Sequence, residues 1–194
     1  RCQIFPRADE LKKPAAERPA TVERLAASPP ASPVPATAEI PAEPATAIPA
    51  QATLIDPERR KKVDAENKIS WDLMLSDPVK ALVAAEGALA EASAGGYAAG
   101  VAEAELNVGW CRHYLADTAK AIESYQASLE GFQAVGDPRG VMKALNALGV
   151  AYHDLGSYES AMDYYTRSLE EARSHGNTIR EAVTLNNIGE ICLD

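Results

Sequence analysis

The chain has 194 residues, a formal net charge of −9 and 46% hydrophobic residues, enough for one domain with a core or for a smaller domain with a tail. Ten of its 13 prolines fall within the first 50 residues, and residues 1–62 carry 10 basic and 8 acidic groups (+2) against 9 and 20 (−11) in residues 63–194. No apolar run reaches the ~18 residues of a membrane span, three cysteines at 2, 111 and 192 make no disulfide framework, and a −11 region repels phosphate, which argues against a nucleic-acid partner.

From residue 8 to about residue 55 the chain is a mixture of Ala, Pro, Glu and Thr in which proline recurs too often for a helix to run three turns. With no aromatics and few large aliphatics it buries too little apolar surface to offset the entropy of ordering, so residues 1–57 are expected to be a disordered, Pro/Ala-rich linker. Pro30 and Pro33 make a PxxP match, a pattern common in any proline-rich tract, and a spacer is the simpler reading. There is no apolar segment near Arg1 of the kind a secretory signal needs. With the unpaired cysteines this points to a cytoplasmic protein.

From residue 58 a repeat takes over. A shift of 40 superposes Gly109 on Gly149 and Gly189, His113 on His153, Ala121 on Ala161, Tyr125 on Tyr165, and Ser128-Leu129-Glu130 on Ser168-Leu169-Glu170. The same shift backwards places Ala81 under Ala121 and Gly96 under Gly136. Repeats are expected at about 58–97, 98–137 and 138–177, with an incomplete one over 178–194, a period that belongs to solenoids and propellers. Inside the third repeat Val141, Leu145, Leu148, Tyr152 and Leu155 keep helical spacing, as do Tyr158, Ala161, Met162, Tyr165, Leu169 and Ala172. Each repeat is thus two amphipathic helices.

Their ends are marked by Gly136 as a left-handed stop, by Asp77 and Asp137 as N-caps before Pro78 and Pro138, by Ser157 as a further cap, and by Thr178-Ile179-Arg180-Glu181 as a capping box. Turns of two or three residues force antiparallel hairpins. The expected fold is all-α: a solenoid of antiparallel helix hairpins behind a disordered tail. The chain is also expected to be a fragment, because Ile188, Ile191 and Leu193 would be left uncovered on the last helix.

This pattern resembles the tetratricopeptide repeat (TPR) family, on Leu145, Leu148-Gly149, Tyr152, Leu155-Gly156, Tyr158, Ala161, Tyr165 and Leu169 in the third repeat and on Val108-Gly109, Ala121, Tyr125 and Leu129 in the second. The second repeat departs at Arg112, where the family has tyrosine, and at Ala116, where it has the turn glycine. A 40-residue period resembles the family's longer subtype, found among other places in the input regions of bacterial signalling proteins. The resemblance implies a scaffold that binds a protein or extended peptide in a concave groove lined by the first helix of each repeat. The alternative it implies is the regulatory input of a signalling enzyme, a diguanylate cyclase, adenylate cyclase or histidine kinase, with an output domain beyond residue 194.

Carried over residue by residue, the groove positions are Leu106, Asn107, Trp110 and His113, then Lys143, Asn146, Val150 and His153, then Asn186, Asn187 and Glu190. Asparagine amides offer both a donor and an acceptor to an extended peptide backbone. Solvation, or contact of Asn107 and Asn187 with a neighbouring helix, is the competing reading. The −11 field favours a basic ligand, and the uncapped last helix is a surface for self-association. His113 and His153 lie one repeat apart but lack a third ligand, so no metal or other cofactor is expected. Cys111 and Cys192 read as small buried residues, no catalytic motif is present, and no enzyme is expected within these residues.

Overall fold

The computed structural model describes residues 56–191. Cys2, Cys192, Leu193 and all of the expected linker except Asp56 and Pro57 lie outside them. Seven helices follow one another with no strand among the described residues: α1 Pro57–Leu73, α2 Pro78–Ala94, α3 Ala98–Tyr114, α4 Thr118–Val135, α5 Pro138–Asp154, α6 Tyr158–Ser174 and α7 Thr178–Ile191. All lie in one compact unit. Each helix packs on the next, so α1–α2, α3–α4 and α5–α6 are hairpins, with α2, α4 and α6 also seating the following helix. The first helices α1, α3, α5 and α7 touch one another in turn, whereas α2, α4 and α6 do not. A stack whose members approach on one side only is curved, and its concave side is the side of the first helices.

Local chemistry starts each helix. The carboxylates of Asp56, Asp77, Asp117 and Asp137 accept from the backbone N–H of Glu58, Lys80, Lys120 and Arg139 at 3.3, 3.1, 3.4 and 3.0 Å, and three of these helices open on proline. Ser157 holds the N-cap position of α6 but its side chain makes no cap bond. The capping box expected at Thr178 gives way to a cap one residue earlier: Asn177 Oδ1 accepts from Arg180 N at 3.1 Å. Glu181 instead accepts from Arg173 at 2.8 Å, because the turn brings the end of α6 within reach of its carboxylate.

Helix ends are equally regular. A residue with positive φ stands every 20 positions at Gly96, Ala116, Gly136, Gly156 and Gly176, and Ala116 alone among them carries a Cβ, at φ 62°. The left-handed conformation presses an L-residue's Cβ against its own backbone.

The core is built where hairpins cross. Tyr125 and Tyr165 are among its largest fully or almost fully buried side chains, joined by Leu106, Leu129, Phe132, Leu145 and Leu148. A Cβ built on Gly109 would stand 2.5 Å from the Tyr125 ring, and one on Gly149 would stand 2.4 Å from the Tyr165 ring. Ser128 and Ser168 fix the same crossings, donating to the carbonyls of Ala102 and Met142 at 2.8 and 3.3 Å. The first hairpin has neither device. It closes on Val63, Ala81, Ala85, Ala88 and Ala92, all fully buried.

Two measurements check this account. Ala116→Gly should stabilise the fold by about 1 kcal/mol, since relief of left-handed strain exceeds the added entropy of the unfolded chain; thermal unfolding should shift up by about 4 °C, and an unchanged or lower Tm contradicts the strain. Gly149→Ala should cost about 2 kcal/mol by overpacking the Tyr165 ring. Gly189→Ala, whose Cβ meets nothing within 4 Å, should be neutral or stabilise by up to about 1 kcal/mol as a helix-interior glycine is lost. Equal effects at the two glycines would contradict the crossing.

Candidate functional site

Along the concave side the first helices are joined by polar links, each between residues close to one repeat apart. Asn107 Nδ2 donates to Asn67 Oδ1 at 3.1 Å and to the Asn67 carbonyl at 3.2 Å, tying α3 to α1. Asn67 Nδ2 in turn donates to the Gly100 carbonyl at 3.4 Å. Between α3 and α5, Lys143 Nζ reaches both oxygens of Glu103 at 2.9 and 3.1 Å, and His113 Nε2 lies 2.9 Å from Asp154 Oδ2. Between α5 and α7, Asn187 Nδ2 donates to Asn146 Oδ1 at 2.9 Å.

These links decide where the expected groove residues stand. Leu106 and Asn107 are each 1% exposed and Asn146 is 8% exposed, so none of the three presents an open surface to a ligand. For Asn107, Asn146 and Asn187 the partner is the neighbouring first helix, which takes the Nδ2 of Asn107 and Asn187 and the Oδ1 of Asn146, while Asn107 Oδ1 is buried without a partner. Asn186 is exposed and donates to Glu190 Oε1 at 3.1 Å, so these two form a pair on the surface of α7. Trp110 is half-buried and packs edge-on against Tyr125 and His113 at 5.4 and 5.8 Å. Val150 is half-buried. His153 is half-buried beside Tyr158, with Asp154 3.8 Å away, so both histidines converge on one carboxylate. Among the described residues no three His, Cys, Asp or Glu side chains are grouped to hold a metal.

Cys111 is fully buried against Ser70, with sulfur and hydroxyl 3.7 Å apart, and burial pushes its thiol above the ordinary range, the opposite of an activated nucleophile. Burial likewise raises the hydroxyls of Tyr125 and Tyr165 well above the usual phenol range, so both stay neutral.

The open part of the concave side lies toward the N-terminal turns of the later first helices. One groove of about 490 Å³ is lined from α1 by Asp64, Asn67, Lys68 and Trp71, from the start of α3 by Gly100 and Glu103, and from α5 and α7 by Lys143 and Arg180. A second of about 640 Å³ runs between α5 and α7, bordered by Arg139, Met142, Lys143, His175, Ile179 and Arg180. Lys143 and Arg180 border both, so the two adjoin. Trp71 is 57% exposed there.

Sequence reasoning placed Lys143 in this set and missed Trp71, Glu103, Arg139 and Arg180. Glu103 was open to detection, since it stands 40 residues before Lys143 with the opposite charge. Trp71 was harder to find, because its equivalents in the next two repeats, Cys111 and Ala151, are buried.

Residues 143–175, which span most of α5 and α6, match the family model for the tetratricopeptide repeat. This stretch is a tetratricopeptide repeat. Among solved structures, the TPR domain of Arabidopsis FLU is similar, with a TM-score of 0.55 and 18% sequence identity over 60% of this chain and 98% of that one. No curated protein matches the chain. Among the described residues, no helix is long and apolar enough to cross a membrane.

If the buried asparagines hold the array together, Asn107→Ala should destabilise the protein by about 1–3 kcal/mol, leaving the Asn67 side-chain and backbone acceptors without their donor. Asn186→Ala, on an exposed pair, should change stability by less than about 0.5 kcal/mol. Chemical denaturation of both variants checks this, and a silent Asn107→Ala contradicts the clasp.

Proposed function

We propose that the chain is a protein-interaction scaffold that receives an extended peptide along the concave side of its TPR array. The observation that carries this reading is the pair of adjoining grooves that together touch residues of all four first helices, α1, α3, α5 and α7, with Trp71 exposed at one end. Such a surface can read several residues of a ligand in sequence, with an aromatic anchor at its rim and alternating charges along its length. An exposed tryptophan supplies a large apolar contact at small entropic cost, and such residues dominate binding at protein interfaces.

Of the residues expected from the family positions, Lys143 lies in this groove. In this reading the ligand runs onward past Trp110, His113, Val150, His153, Asn186 and Glu190, which lie nearer the C-terminal ends of the first helices. Leu106, Asn107, Asn146 and Asn187 support the surface from beneath. The ligand makes its contacts with side chains on the rim, and the asparagines hold the helices that carry them.

A displayed library of random peptides, selected on the intact protein, tests the proposal. Selected peptides should slow amide exchange in the first turns of α3, α5 and α7 and in α1 around Trp71. Trp71→Ala should weaken them about tenfold, and Glu130→Gln, on the exposed face of α4, should leave affinity unchanged. Peptides that protect only α2, α4 and α6, or that ignore Trp71→Ala, would overturn the concave side as the binding surface.

A further inference from the structure

The net charge of residues 63–194 is −11, and a ligand chosen by that field alone would be basic. The groove between α5 and α7 has the opposite character. Arg139, Lys143, His175 and Arg180 line it, and none of its lining residues carries a carboxylate. The carboxylates that border the adjoining groove or contact the lining residues are already engaged, Asp64 among them at 3.8 Å from Arg60. Glu103 holds Lys143, Asp137 accepts from the Arg139 backbone N–H, Glu181 accepts from Arg173, and Glu171 stands 3.5 Å from His175. Among the described residues this leaves the guanidinium groups of Arg139 and Arg180 with no acidic partner, in a chain where acids outnumber bases 28 to 19.

We propose that this groove is a subsite for acidic side chains of the bound peptide, with Arg139 and Arg180 as the groups that recognise them. The proposal rests on the scaffold reading above and names the partner's chemistry. Guanidinium is the cation best matched to a carboxylate, since its fork of donors pairs with both oxygens. Arg180 is half-buried, so its charge is less screened than that of an open surface lysine. Ile179, 76% exposed on the same rim, offers apolar surface to the stem of a glutamate.

The confinement of the positive charge selects a peptide over a nucleic acid. Asp64, Glu103 and Asp137 border the adjoining groove on the concave side. A polyanion extending past the groove meets their repulsion, whereas a peptide can place one or two carboxylates in the groove and nothing charged elsewhere.

Three short labelled peptides of one extended Ala/Pro sequence, carrying glutamate, glutamine or lysine at the same positions, test the proposal by fluorescence anisotropy on the intact protein, beside a single-stranded oligonucleotide. The glutamate peptide should bind about tenfold tighter than the glutamine peptide at low salt, and the lysine peptide weakest. The advantage should shrink as salt is raised. Arg139→Gln with Arg180→Gln should bring the glutamate and glutamine peptides to within about twofold of each other while the glutamine peptide keeps its affinity. Both arginines lie outside the core, and a melting curve reports directly whether the double variant is folded.

A glutamine or lysine peptide that binds as tightly as the glutamate one, a preference that survives the double variant, or an oligonucleotide that outcompetes the glutamate peptide would each overturn the acidic subsite. Equal binding of all three peptides, lost in Trp71→Ala, would do so while leaving the scaffold intact. Binding of none of the three would remove both.

Discussion

Within the second and third hairpins a glycine of the first helix lies against a tyrosine ring of the helix that follows. At Gly109 and Tyr125, and again at Gly149 and Tyr165, there is no room for a single additional carbon. This contact fixes how near the two helices of a hairpin lie, and the remaining core is arranged around it. Once the backbones are this close, Ser128 and Ser168 can reach carbonyls of the facing helix, and a short side chain with one hydroxyl becomes worth more than a larger apolar one. The first hairpin solves the same problem with the sizes exchanged. Forty residues before Gly109 stands Ile69, forty before Tyr125 stands Ala85, and the bulk has moved from the second helix to the first. Ile69 is 49% exposed, so the exchange leaves apolar surface open that the later hairpins bury.

Close hairpins have a consequence for the concave side. Successive first helices come near enough for side chains as short as asparagine to bridge them, and the array uses this twice, at Asn67 with Asn107 and at Asn146 with Asn187, while Glu103 with Lys143 and His113 with Asp154 link α3 to α5. A buried amide whose partner is another amide contributes little net stability, but either one left alone would cost a full desolvation penalty. Their effect is to fix the register of neighbouring repeats. These positions are buried or bonded to the neighbouring helix, and the open surface of the concave side lies at the helix starts, where Arg139, Lys143 and Arg180 stand.

This also explains what the sequence could reveal. The helices, their aspartate caps and the turn glycines were legible because each is decided within a few residues: Asp137 caps α5 whatever the rest of the molecule does, and Gly136 turns left-handed because the next helix begins two residues on. The alignment of Gly109 with Gly149 was legible because a close crossing tolerates nothing else. The asparagines were not, since an amide on a given helix face meets either solvent, a ligand or a neighbouring helix, and the choice depends on a separation between first helices that no single repeat encodes. Thr178 and Glu181 mislead for a similar reason. Their spacing suits a capping box, but Arg173 of the preceding helix competes for the Glu181 carboxylate, and a charged donor prevails over a backbone N–H.

The outer face of α1 shows the same contest between packing and charge. In α3 the side that meets α2 carries Val101, Ala104, Val108 and Cys111, with Ala104 clustered on Ala88 and Ala92 and Cys111 on Ala81. One period earlier the corresponding residues are Lys61, Asp64, Lys68 and Trp71, all exposed, and Lys68 is paired with Asp72 on its own helix. A helix stacked there as α2 stacks on α3 would bury three charged side chains, a cost of several kcal/mol that no facing charge among the described residues is placed to offset. This face of α1 therefore suits water where the matching face of α3 suits a helix, as expected of a terminal repeat in a solenoid. Trp71 is the exception among the four, and its indole turns from that polar face toward the groove shared with Glu103 and Lys143. An apolar ring kept exposed on a face otherwise converted to charge is hard to account for by stability, since a lysine or glutamate would serve there as well. It is accounted for if the ring is there to be covered by a ligand.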